Sequence, residues 1–144
     1  EDAGDGILPA MSSKNLLLVV ANPAISTTLG WPVGFWWSEL THPYHAFVEA
    51  GYEVAVFSPA GGACAADGMS DPNDASGYSK TDLISQGFIH TAKLRALVDN
   101  TGRVADLDVA KFDAIVVAGK SDTPYARECA GRAGLLPHSG PSLA

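Results

Sequence analysis

The chain's 144 residues, 47% of them hydrophobic, suffice for one compact core and are too few for two. A formal charge of −7, with the lysines and arginines scattered rather than clustered, argues against nucleic acid as a partner. No apolar run approaches the roughly 20 residues of a membrane span, and the opening stretch lacks the basic segment of a secretory signal, so no membrane partner and a cytoplasmic location are expected.

Residues 1–13, which precede and include a plausible start at Met11, are acidic and Gly-rich at their beginning and read as a leader or disordered segment. From Asn15 the run Leu16-Leu17-Leu18-Val19-Val20-Ala21 is apolar without interruption and closes at Asn22-Pro23. This pattern predicts a strand buried on both faces of a parallel sheet. After a loop holding Pro23, Gly30, Pro32 and Gly34, helical spacing resumes over Phe35-Trp36-Trp37-Ser38-Glu39-Leu40. Pro43 interrupts that segment, and a fresh helix is expected over 43–50, capped by Thr41 or His42 and ended by Gly51.

A second strand is expected over 52–58, stopping at Ser58-Pro59. Residues 60–79 have no period and form a long loop. A third helix is predicted from Thr81-Asp82 to Asn100, with Ile84, Phe88, Leu94, Leu97 and Val98 on its inner face, and a third strand over 112–119. Alternating strands and helices of this kind specify a doubly wound α/β fold, whose ligands collect beyond the carboxyl ends of the strands, here near Ala21, Ser58 and Gly119.

Among the candidate chemical groups, Glu39 is the most informative acid, because it follows the first strand amid aromatic residues. Desolvated there, it could hold or pass a proton near neutrality; periodicity alone favours a surface acid serving the helix dipole. His42 and His45 lie three apart, but no third ligand completes a metal pattern, and capping or surface roles are expected. His90 reads as a helical surface residue and His138 falls in an irregular tail. Gly61-Gly62 lacks the remaining residues of a phosphate loop and reads as a turn. Cys64 and Cys129 read as free thiols, and no cofactor or metal site is indicated.

Taken together, Gly34-Phe35-Trp36-Trp37-Ser38-Glu39-Leu40-Thr41-His42-Pro43-Tyr44, Phe47, Glu49-Ala50-Gly51-Tyr52-Glu53-Val54 and Ser58-Pro59-Ala60-Gly61-Gly62 resemble the ThiJ/PfpI superfamily. The Glu39-Leu40-Thr41-His42-Pro43 string and the long loop, with Asp67 and Ser70, are most similar to its glyoxalase III and heat-shock chaperone branch. The resemblance implies a flavodoxin-like, three-layer sandwich with a cysteine on a strand-to-helix elbow, followed by histidine. It implies Glu39 as the catalytic acid that hydrogen-bonds this cysteine and shuttles protons while the thiolate attacks a small aldehyde such as methylglyoxal, giving lactate. A homodimer is a further expectation from the family.

The resemblance covers residues 14–119, the N-terminal part of such a domain. Where the family continues Gly-Gly-x-Gly, this chain has Gly119-Lys120-Ser121-Asp122-Thr123-Pro124, and residues 120–144 form a divergent tail without periodicity. Cys129, within Arg127-Glu128-Cys129-Ala130-Gly131, lacks both a preceding apolar strand and a following histidine. The expectation is therefore a fold incomplete at its C-terminus and a chain inactive for want of the nucleophile. A frameshift, retained intron or alternative splice end would account for the tail. The alternatives are a non-catalytic, holdase-like stress protein and a flavodoxin-like small-molecule binder.

Overall fold

The computed structural model of the chain describes residues 14–25, 30 and 32–118. Its centre is strand β1 (Asn15–Val19), whose continuous apolar run has no polar face to turn to water. Leu16 to Val20 are each at most 3% exposed, so both faces of β1 are covered. A short antiparallel pair, β2 (Ala24–Ile25) and β3 (Pro32–Val33), follows, and then helix α1 (Trp37–Glu49). Strand β4 (Glu53–Ser58) comes next, then the long loop with a single 3-10 turn at Gly68–Ser70. Helices α2 (Leu83–His90) and α3 (Ala92–Asp99), the short strand β5 (Gly102–Arg103) and strand β6 (Ala114–Val117) complete the described order.

The main sheet is parallel, in the order β5-β4-β1-β6. From β1 the chain passes first to β4 and β5 on one side and then to β6 on the other, which is the reversal of a doubly wound sheet. Alternate side chains of β1 enter separate cores. Leu16, Leu18 and Val20 meet Trp37, Leu40, Val56, Phe88 and Val98 on the helical side. Leu17 and Val19 meet Val104 and Leu107 on the other, with Phe57, Phe112, Ile115 and Val117 half-buried around them. On that second side the described layer is the irregular segment carrying the 3-10 turns Val104–Asp106 and Val109–Lys111.

Two helix boundaries differ from expectation. Pro43 lies inside one continuous α1 rather than starting a new helix. Pro lacks an amide hydrogen, so the Glu39 carbonyl loses its partner four residues on, but Tyr44 and Phe47 pack on the core on the far side of the gap and hold the turn in place. Conversely, the expected helix from Thr81 to Asn100 is two helices broken at Thr91. The Thr91 hydroxyl donates to the Gly87 carbonyl at 2.7 Å, and its own carbonyl accepts from Leu94 and Arg95 amides, both at 2.9 Å. A β-branched residue that satisfies the preceding turn with its side chain frees its backbone to restart the helix in a new direction.

A polar chain, buried at its Thr41–Ser85 link and exposed at His42, joins α1 to α2. Thr41 Oγ1 donates to Ser85 Oγ at 2.7 Å, Ser85 Oγ donates to Asp82 Oδ2 at 2.6 Å, and His42 Nε2 lies 2.9 Å from Asp82 Oδ1. Asp82 also caps α2, accepting from the Ser85 amide at 3.1 Å. Burial pushes the Asp82 carboxyl up, but the hydrogen bonds from Ser85 and His42 outweigh it and hold the group below its ordinary 3.8. A depressed folded value means that the stabilisation is present above about pH 4 and is lost as pH falls through the folded value. Asp82→Ala should therefore cost about 1 kcal/mol at neutral pH, the worth of a helix cap, and the deficit should shrink on acidification below about pH 4. Urea midpoints of both proteins at several pH values measure this.

Candidate functional site

Of the residues singled out by sequence, Glu39, Asp67 and Ser70 are gathered about the start of α1. Trp36 precedes the helix and supplies no side-chain cap. The cap comes from the long loop instead. Ser70 Oγ accepts the Trp37 amide at 3.1 Å and donates to the Asp67 carbonyl at 2.7 Å, while the Asp67 amide donates to the Phe35 carbonyl at 2.8 Å. Asp67 Oδ1 closes the turn by accepting the Met69 amide at 3.0 Å. The loop docks so closely that a Cβ on Gly34 would lie 2.0 Å from the Ala65 carbonyl oxygen. Ser70→Ala should cost about 1 kcal/mol, the worth of a helix cap, with Ser70→Thr retaining most of it; thermal unfolding reads the difference.

Glu39 sits in the first turn of α1, its amide donating to the Trp36 carbonyl at 3.1 Å. Phe35, Trp37 and Leu40 turn inward, 2%, 2% and 0% exposed, whereas Glu39 is exposed. The aromatic residues thus form a wall behind the helix rather than a cover over the carboxylate. Phe35 and Trp37 meet edge to face at 5.0 Å, Trp37 leans on Phe88 at 6.1 Å, and the Arg95 guanidinium lies over Trp37 at 5.2 Å. Trp36 contacts Tyr78 at 6.0 Å and lines a cleft of about 470 Å³ in which Ser38, His42 and Asp82 stand beside Leu83 and Ile84.

Behind this, at the carboxyl ends of β1 and β4, lies a second polar cluster that periodicity did not reveal. Asn22 Nδ2 reaches Ser58 Oγ at 3.1 Å, the Gly61 carbonyl at 3.4 Å and Cys64 Sγ at 3.5 Å, and Asn22 Oδ1 accepts the Ala60 amide at 2.7 Å. Thr101 Oγ1 donates to the Gly62 carbonyl at 2.7 Å and therefore accepts from Ser58 Oγ, also at 2.7 Å. Gly61 and Gly62 both adopt positive φ, 72° and 74°, as a turn requires, and Gly62 pairs with Thr101 through both backbone groups. Cys64 is buried within this cluster, a free thiol that braces the turn. The one available signal was Asn22 before Pro23, a turn former at a strand end.

The histidines separate. His42 is bound to Asp82, His45 pairs with Glu49 at 3.5 Å, and His90 Nε2 lies 3.4 Å from Asn73 Oδ1. No group of three or more His, Cys, Asp or Glu side chains suited to a metal ion occurs among the described residues. His138, Cys129, Gly119 and the tail over 120–144 lie outside the described residues, as does the expected leader over 1–13. Among the described residues, no helix is long and apolar enough to cross a membrane.

No protein-family model and no curated protein matches the chain. Solved structures do. The 24 kDa Rapid Encystment Protein of Francisella tularensis is similar at 25% identity and a TM-score of 0.61, over 74% of this chain and 44% of its own. The protein APC35852 is similar at 26% identity and a TM-score of 0.59, over 84% of this chain and 52% of its own. Glyoxalase III of Candida albicans is similar at 20% identity and a TM-score of 0.60, over 85% of this chain and 52% of its own. The chain is an open parallel α/β unit with its polar clusters at the strand ends. It has the ThiJ/PfpI-type, flavodoxin-like fold, and it spans about half the length of the structures that it matches.

Proposed function

We propose that this chain is the acid-bearing part of a ThiJ/PfpI-type protein of the glyoxalase III kind, with Glu39 as the proton-handling residue of chemistry on a small aldehyde such as methylglyoxal. The observation that carries the reading is the position of Glu39, in the first turn of the helix that leaves the central strand, where an open α/β sheet gathers its ligands. The likeness of fold to a glyoxalase III supports it.

The reaction expected from the resemblance joins a thiolate to the aldehyde carbon. A base then removes the proton from that carbon and an acid returns one to the neighbouring carbonyl carbon, giving a lactoyl thioester that water cleaves to lactate. A carboxylate can serve as both base and acid in such a transfer. The thiol has no counterpart beside Glu39 among the described residues, because Cys64 is buried in the Asn22 and Thr101 cluster. The expected result is that the chain by itself forms no lactate from methylglyoxal in the absence of added thiol. A lactate assay tests this, and turnover above the buffer blank that disappears in Glu39→Gln would show that the chain supplies its own nucleophile. A second reading, a binding role without catalysis, is favoured by one observation, an apolar groove on the helical side.

A further inference from the structure

Helix α1 and the helix pair α2 and α3 enclose a groove of about 500 Å³ on the outer face of the helical layer. Tyr44, Val48, Leu83, Ile84, Phe88 and Leu94 form its walls. Val48, Leu83 and Ile84 remain 45%, 74% and 40% exposed, an apolar surface that water must cover. Among its polar lining groups, Thr41 donates to Ser85, Thr91 donates to the Gly87 carbonyl and His45 faces Glu49, and the Tyr44 hydroxyl adds one further polar group.

Gly87 on the groove's lining gives it depth. Glycine inside a helix is destabilising, and it is usually retained for a left-handed backbone or a close neighbour. Neither applies here, since Gly87 is not among the glycines of positive φ and a Cβ on it would meet nothing within 4 Å. What the missing side chain leaves is room in the groove. The volume falls within the range of small-molecule pockets, which are apolar with few polar groups.

We infer that this groove binds an uncharged, predominantly apolar small molecule, held by contact with the Tyr44, Ile84, Phe88 and Leu94 walls above Gly87. Charge decides the class of ligand. No Asp, Glu, Lys or Arg lines the groove, its one histidine is matched by Glu49, and the chain carries a formal −7, so an anion finds no partner and a general repulsion. The inference stands apart from the role proposed for Glu39: dye binding tests one and lactate formation the other.

The test uses the full chain with N-phenyl-1-naphthylamine, an uncharged apolar fluorophore, and its anionic counterpart 1-anilinonaphthalene-8-sulfonate. The neutral dye should bind at one site per chain in the micromolar range, be displaced by 1-decanol, and exceed the sulfonate in affinity by about tenfold or more. Gly87→Leu should fill the groove and weaken the neutral dye by about tenfold or more. Gly87→Ala, which improves helix propensity with a smaller side chain, should raise the Tm and keep most of the binding. Absence of neutral-dye binding, equal affinity for both dyes, or unchanged binding in a folded Gly87→Leu would overturn the inference. So would sedimentation showing that Gly87→Leu converts a dimer to a monomer, because the occupant would then be a second copy of the chain.

Discussion

Gly34→Ala should destabilise the protein by about 3 kcal/mol, the upper part of the range for overpacking. The added methyl would sit 2.0 Å from the Ala65 carbonyl oxygen and 2.9 Å from the Ala66 carbonyl carbon, and both are backbone atoms that no rotamer change can move away. The loop must lift, and with it go the Phe35 to Asp67 hydrogen bond and the Ser70 cap on α1. Gly68→Ala is the control, since a Cβ there meets nothing within 4 Å, and chemical denaturation of the two variants separates a loop that must move from a mere change of glycine.

Leu18→Ala should be comparably severe, in the range of about 2–5 kcal/mol measured for leucine truncation in cores. Leu18 is fully buried in the central strand, between β4 and β6, in register with Val56 and Val116. Its side chain belongs to the helical-side core, where Leu40, Phe88 and Val98 are buried on helices, and close-packed neighbours of this kind collapse poorly around a void. Leu107, 9% exposed in the irregular layer of the opposite face, should tolerate truncation better, because that layer can settle inward. A paired set of urea unfolding curves checks the ranking.

The central strand was readable in the sequence because an apolar run bounded by Asn22-Pro23 permits little else, and β4 was readable from its weak alternation, its β-forming residues and the stop at Ser58-Pro59. The breaks inside helices were not readable. Pro43 is carried through α1 by packing on the core, and Thr91 divides α2 from α3 by a hydrogen bond to its own preceding turn; neither effect has a period. The same holds for the site. Glu39 was identifiable from its string, but the cap from Ser70, the close approach at Gly34 and the Asn22, Ser58, Thr101 cluster join residues about thirty or more positions apart. Such contacts follow from the topology of the sheet and are invisible to local pattern.

In the proposed role, Glu39 moves a proton on an aldehyde adduct for which the described residues offer no thiol. A small exogenous thiol such as 2-mercaptoethanol, which adds to methylglyoxal in solution, supplies the missing hemithioacetal without any change to the chain. The decisive measurement is lactate and lactoyl thioester formed by the wild-type chain and by Glu39→Gln in the presence of both reagents. Formation above the buffer blank is expected with the wild type, with a loss of about a hundredfold in Glu39→Gln, the scale of a positioned general base. Equal rates for the two folded proteins, or none above the blank for either, would contradict that role.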